Sequence, residues 1–123
     1  MLNNFQITDN FNLREFECTH PEHSHVQIDD KLVELLQKLR DRLNVPLIVN
    51  SAFRCEVRNN QVGGATRSQH LYGKAADIAM RTIPLSIEEV AEIADELGFD
   101  GIGLYNTFIH LDVRGSKARW DNR

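Results

Sequence analysis

Residues 68–77, SQHLYGKAAD, place His70 and Asp77 seven positions apart around Gly73. Imidazole and carboxylate are both zinc ligands, and zinc sites that do chemistry use three protein ligands with a fourth position left to water or substrate. A histidine far downstream, His110 in FIHLDVR, brings the set to three. The spacing is not that of two histidines on successive turns of one helix. The site therefore has to be assembled from a loop and two strands, with Gly73 permitting the turn between the first two ligands. Residues 75–80, small and apolar around Asp77, read as a strand, and a strand fixes a ligand more firmly than a loop does. Spacing alone leaves open that His70 and His110 are ordinary loop and strand histidines and that Asp77 is a cap or turn residue.

Working outward, residues 101–105 and 108–113 read as two strands joined at Asn106-Thr107, a hairpin. Side chains alternate along a strand, so His110 and Asp112 share one face while Ile109, Leu111 and Val113 share the other. Upstream, Leu32, Leu35, Leu36, Leu39 and Leu43 recur at helical spacing, predicting a helix over 29–43 with Asp29 or Asp30 as its cap. A short strand is expected at 47–49, ending at Asn50 and Ser51. A short helix over 56–62 should stop at Gly63 and Gly64. Ser86 with Glu89 three positions on is a capping-box signature for a helix carrying Ile87, Val90, Ala91, Ala94 and Leu97, ended by Gly98. With a helical turn near 12–16, these elements predict an α+β fold: a small antiparallel sheet carrying Asp77 and His110, with helices packed mainly on one face.

The chain of 123 residues is read as a single domain, 1–123, long enough to bury roughly two thirds of its unfolded surface. At 41% hydrophobic and 26% charged it matches neither a disordered chain nor a disulfide-stapled miniprotein. A net charge of −4 provides no basic field for nucleic acid. Local basic residues, Arg54, Arg58, Arg67 and Lys74 near the motif and Arg114, Lys117, Arg119 and Arg123 near the end, suit a small anionic group such as a carboxylate. No run approaches the roughly 20 apolar residues that span a bilayer, and the start lacks an export signal, so a monomer made in the cytoplasm, without membrane association, is expected. Cys18 and Cys55 are read as reduced and structural. His20, His23 and His25 beside Cys18 lack a paired ligand set and read as a solvent-exposed loop. Trp120 reads as core or lid packing.

SAFR at 51–54, NNQVGGA at 59–65, SQHLYGKAAD, GFDGIGLY at 98–105 and FIHLDVRG at 108–115 resemble the zinc D-Ala-D-Ala carboxypeptidase and murein peptidase family. That family shares its fold with the Hedgehog signalling domain. The similarity runs in order from FNLREFEC, 11–18, to Arg119-Trp120. It implies one zinc ion per chain held by His70, Asp77 and His110, and hydrolysis of peptidoglycan stem peptides, of D-Ala-D-Ala carboxypeptidase or endopeptidase type. Other readings are an L-Ala-D-Glu murein endopeptidase, that is an endolysin, and a catalytically silent zinc-binding interaction module, because fold does not dictate function. The small size suits a phage or prophage lysis enzyme released to the wall by a lysis system.

Zinc at such a site brings the pKa of water to about 7. Asp112, two positions beyond His110 and on the same strand face, is the expected general base. Many relatives carry an acid three positions before the last histidine, where this chain has Thr107, and the other role open to Asp112 is to orient a ligand. Arg54 offers a fixed fork of donors for a substrate carboxylate or a developing oxyanion, or else forms an ion pair. Ser68 is expected to bond substrate or the backbone of its own turn.

Overall fold

Helix α1, Asp30–Leu43, forms where the leucine spacing predicts it. Of the two aspartates that could start it, Asp29 is the cap, its Oδ1 accepting from Lys31 N at 2.8 Å. The helix buries Leu32, Val33, Leu35, Leu36 and Leu39, and it ends at Asn44 in the left-handed region, φ 54°. The computed structural model describes residues 6–18, 26, 28–54, 56–64 and 68–123, with 56–58 described by backbone alone.

Before α1 lie strands β1, Gln6–Thr8, and β2, Phe11–Asn12, which pair with each other, and a 3₁₀ turn, Leu13–Phe16. Asn12 and Glu15 cap that turn reciprocally, and Phe16 is buried against Phe11. After α1 come β3, Val49–Ser51, α2, Glu56–Gln61, a second 3₁₀ turn, Gln69–Tyr72, and β4, Ala75–Ala79. Helix α3, Ile87–Leu97, has the Ser86–Glu89 capping box in both directions, and Gly98 ends it at φ 104°. Strands β5, Gly101–Leu104, β6, Phe108–Asp112, and β7, Ala118–Asp121, complete the chain.

The main sheet has the order β3-β4-β6-β5-β7. Its first four strands pair antiparallel and β7 runs parallel to β5, so the sheet is mixed where a purely antiparallel one is expected. Strand β7 was not expected because its four residues, ARWD, are too short a run for the alternation of Ala118 and Trp120 with Arg119 and Asp121 to mark a strand; it is an edge strand with Arg119 and Asp121 exposed. The strand expected at 47–49 begins two residues later. Leu47 is buried ahead of the ladder, whose pairs are Val49↔Ile78 and Ser51↔Asp77, so apolarity and backbone pairing part company there.

Register sorts the sheet's two faces. Ala76 and Ile78 of β4, Ile109 and Leu111 of β6 and Ile102 of β5 are buried in a core shared with Leu32, Leu36 and Leu39 of α1 and Val90 and Ala94 of α3. The α+β architecture, with α1 and α3 closing this apolar face, is the expected one. On the opposite face the register pairs Asp77 with His110 across β4 and β6, and Gly103 with His110 across β5 and β6. Among the described residues no helix is long and apolar enough to cross a membrane.

Candidate metal centre

Antiparallel pairing places Asp77 and His110 directly opposite each other on the face away from the helices. His70 is delivered by the 3₁₀ turn Gln69–Tyr72, where a plain loop was expected. Ser68 caps this turn, its hydroxyl oxygen accepting from His70 N at 3.3 Å, and Gly73 ends it in the left-handed region at φ 68°. Two backbone bonds tie the turn to its surroundings: Asp29 N donates to Gly73 O, and Arg54 N donates to His70 O. Gly73 thus has the turn role expected of it.

The three side chains converge. His70 Nε2 lies 3.2 Å and His110 Nδ1 3.0 Å from Asp77 Oδ1, and one ligand atom from each residue falls within 4.8 Å of the others. The outer nitrogens fix the tautomers. His70 Nδ1 is 2.6 Å from Ala52 O, a carbonyl that can only accept, so Nδ1 carries the hydrogen. His110 Nε2 lies 2.7 Å from Asp112 Oδ2 and donates to it. In its neutral form each ring therefore turns a lone pair toward Asp77. Only a shared cation or an additional proton can hold three such acceptors together, so the donor set fits a divalent metal of borderline character such as zinc.

The electrostatics express the same demand. Burial alone would raise the Asp77 pKa, but the bonds and charge of the two histidines overcome it and hold the carboxyl well below its usual range. For His110 burial alone would lower the pKa, yet Asp112 and Asp77 together raise it.

Asp112 occupies the other side of His110. It is fully buried, and Arg114 grips it with Nε at 3.0 Å from Oδ1, Nη2 at 2.6 Å from Oδ2 and the backbone N at 3.2 Å from Oδ1. These bonds and the His110 contact outweigh burial and hold its carboxyl well below the usual range. The imidazole of His110 separates it from Asp77: sharing a strand face with His110 does not put Asp112 beside the metal position.

Two glycines of β5 make this packing possible. A Cβ at Gly101 would fall 2.1 Å from Asp112 Oδ2, and one at Gly103 would fall 2.3 Å from Trp120 Cε2. The Trp120 ring lies 5.0 Å from that of His110, with the Arg114 guanidinium 5.3 Å from its centre. Its Nε1 donates to Tyr105 Oη at 3.0 Å, and Tyr105 stacks on Phe108 at 4.4 Å. Tyr105 lines the cleft without having been singled out from the sequence; Arg114, expected to suit a small anionic group, clamps the Asp112 carboxylate, and Trp120, expected in core or lid packing, forms part of the cleft wall. The signals available were the alternate glycines of GIG facing HLD in the partner strand, and a tryptophan five residues after Gly115.

A cleft of about 470 Å³ is lined by the three candidate ligands, by these aromatics and by Arg54, Ser68 and Gly64. Arg54 Nη2 is 3.4 Å from Ser68 Oγ. The Ser68 hydroxyl thus serves its own turn and meets Arg54. Of the remaining basic residues, Lys74 does not line the cleft, Arg119 pairs with Asp95, and Arg123 pairs with Asp121 and Glu88. Cys18 is buried. Cys55, Arg67, His20, His23 and His25 lie outside the described residues, as does the side chain of Arg58.

A family model described as Peptidase M15 matches residues 9–112. A stretch of 44 residues is 46% identical to the zinc D-Ala-D-Ala carboxypeptidase of Streptomyces albus G; it takes in 35% of this chain and spans 17% of that relative. Because the family match covers most of the sequence and includes His70, Asp77 and His110, the chain belongs to the peptidase M15 family.

Proposed function

We propose that the protein is a zinc-dependent peptidase of peptidoglycan stem peptides, with His70, Asp77 and His110 holding one zinc ion. The observation that carries this reading is the pair of imidazoles whose outer nitrogens are tied to Ala52 O and Asp112, leaving two lone pairs converging on the Asp77 carboxylate. Zinc bound there would supply Lewis acidity, polarising a peptide carbonyl and making water acidic enough to attack at neutral pH.

The chain's own residues then divide the work. Arg54 lines the cleft and presents a guanidinium suited to a substrate carboxylate or to the oxygen that gains charge during attack. Ser68 holds the turn that carries His70 and meets Arg54. Asp112, buried behind His110 and clamped by Arg114, is a positioning residue: it fixes the tautomer and the ring plane of a ligand. This departs from the general-base role expected from its place on the strand.

The bond cut is proposed to involve D-alanine, as in a D-Ala-D-Ala carboxypeptidase or endopeptidase. The relative's name and the 44-residue stretch of 46% identity support this choice. The test pairs metal analysis of the purified protein with mass spectrometry of digested peptidoglycan. One zinc per chain and fragments ending at D-alanine are expected. Fragments from the L-Ala-D-Glu link would assign the other bond, and bound zinc with no fragment released would make the protein a binding module.

A further inference from the structure

The aromatic wall contains a hydrogen-bond donor that no acceptor among the described residues takes up. The Trp120 indole N–H can only donate, so in the 3.0 Å contact the Tyr105 oxygen must accept. The phenolic hydrogen is thereby turned away from Trp120, and among the described residues no protein acceptor takes it. Tyr105 lines the cleft together with the three candidate ligands.

The hydroxyl is also held in place. The Tyr105 ring stacks on Phe108 at an interplanar angle of 10°, and its backbone N donates to Phe108 O at 3.1 Å. Trp120, which grips the oxygen, lies flat against Gly103, where any Cβ would collide with the indole. A donor fixed in this way loses little freedom when a ligand meets it. Arg54 and Tyr105, which both line the cleft with the three candidate ligands, then present donors to it. A peptide, rich in carbonyl and carboxylate oxygens, is the complementary ligand.

We propose that Tyr105 is a substrate-binding residue whose hydroxyl, oriented by Trp120, donates a hydrogen bond to a carbonyl or carboxylate oxygen of the peptide lying in the cleft. This rests on the reading of the cleft as a peptidase site.

The test measures calorimetric binding of an N-acetylated stem tetrapeptide ending in D-alanine to the zinc-loaded protein, with mass spectrometry verifying that the peptide stays intact. Tyr105→Phe keeps the stacked ring and removes only the hydroxyl. It is expected to weaken binding about three- to tenfold, the value of one neutral hydrogen bond, with zinc affinity unchanged. Trp120→Phe leaves the hydroxyl but removes its holder, and is expected to weaken binding by no more than Tyr105→Phe. Equal affinities in wild type and Tyr105→Phe, a larger loss in Trp120→Phe, or no binding by wild type would each overturn the inference. Wild type that binds the peptide as expected but releases nothing from peptidoglycan would overturn the hydrolase reading and leave the Tyr105 contact standing.

Discussion

Asp112 is the residue at which role and position separate most clearly. Strand alternation correctly predicts that it shares a face with His110, but alternation carries no information on which side of the imidazole the carboxylate lies. Arg114 decides that by drawing Asp112 behind the ring. The two roles predict different kinetics. Asp112→Asn keeps an oxygen for His110 but loses the charge and faces Arg114 with a neutral group, so zinc affinity should fall about 10- to 100-fold. Turnover should return at saturating zinc, measured by assaying activity across a zinc titration; a general base would leave turnover depressed however much zinc is present. Arg54 is argued differently, since its guanidinium lines the cleft and meets Ser68. Arg54→Ala should reduce kcat/KM on stem peptides by about 100-fold, the order of losing a charged donor to a developing oxyanion, while zinc content stays at wild type. Unchanged kinetics would remove it from the site. The three candidate ligands were legible because His, Asp and His with a turn glycine between the first two are chemically specific residues. Tyr105 and Trp120 were not, because an aromatic side chain gives the same signal in a core as in a cleft wall.

At the scale of elements, periodicity identified α1 and α3 and their caps, since each carries an apolar stripe with a polar N-cap and a residue in the left-handed region at its end. It also identified β4, β5 and β6, whose apolar positions face the helices. It failed for β7, whose four-residue alternation, ARWD, is too short to mark a strand and which is recruited by backbone pairing with β5. It misplaced β3 because Leu47 packs in the core before the ladder begins. Strand β5 is the element that most constrains the site. Its Gly101 and Gly103 leave room on one face for Asp112 and Trp120, while Ile102 between them is buried in the core. A methyl at 101 would meet a carboxylate fixed by Arg114 and His110, not the free end of a flexible chain. Gly101→Ala should therefore cost about 1–3 kcal/mol of stability and weaken zinc binding as well, because the shift passes through Asp112 to His110. Thermal melts and a zinc titration on the same preparation would check both; a variant as stable as wild type would show that the strand can give way.

For the whole molecule, the candidate metal centre joins parts of the chain that the hydrophobic core does not join directly. The core lies on the helix side of the sheet, whereas His70, Asp77 and His110 tie the Gln69–Tyr72 turn to β4 and β6 on the other. Zinc bound there should then behave as a structural tie on that face as well as a Lewis acid. At a concentration 100 times Kd a ligand of the folded state adds about 2.7 kcal/mol, which for a chain of this size raises Tm by on the order of 10 °C. The gain should depend on pH in a definite direction. Without metal, the raised pKa of His110 means that protonation of the folded state contributes stability that is fully present below the unfolded pKa, about 6.5, and is lost as pH rises through the folded value. Zinc must displace that proton, so its binding weakens toward acid and strengthens toward alkali. The zinc-dependent increase in Tm should thus be small at pH 5.5 and grow to its full size by pH 8, while the metal-free Tm moves the other way from His110's contribution. Leu36→Ala provides the contrast: it removes a fully buried side chain from the opposite face and should cost about 2–5 kcal/mol at every pH, with the zinc increment intact. Melting curves with zinc and with chelator across this range distinguish the two, and an increment that does not vary with pH would mean that no histidine gives up a proton when the metal binds.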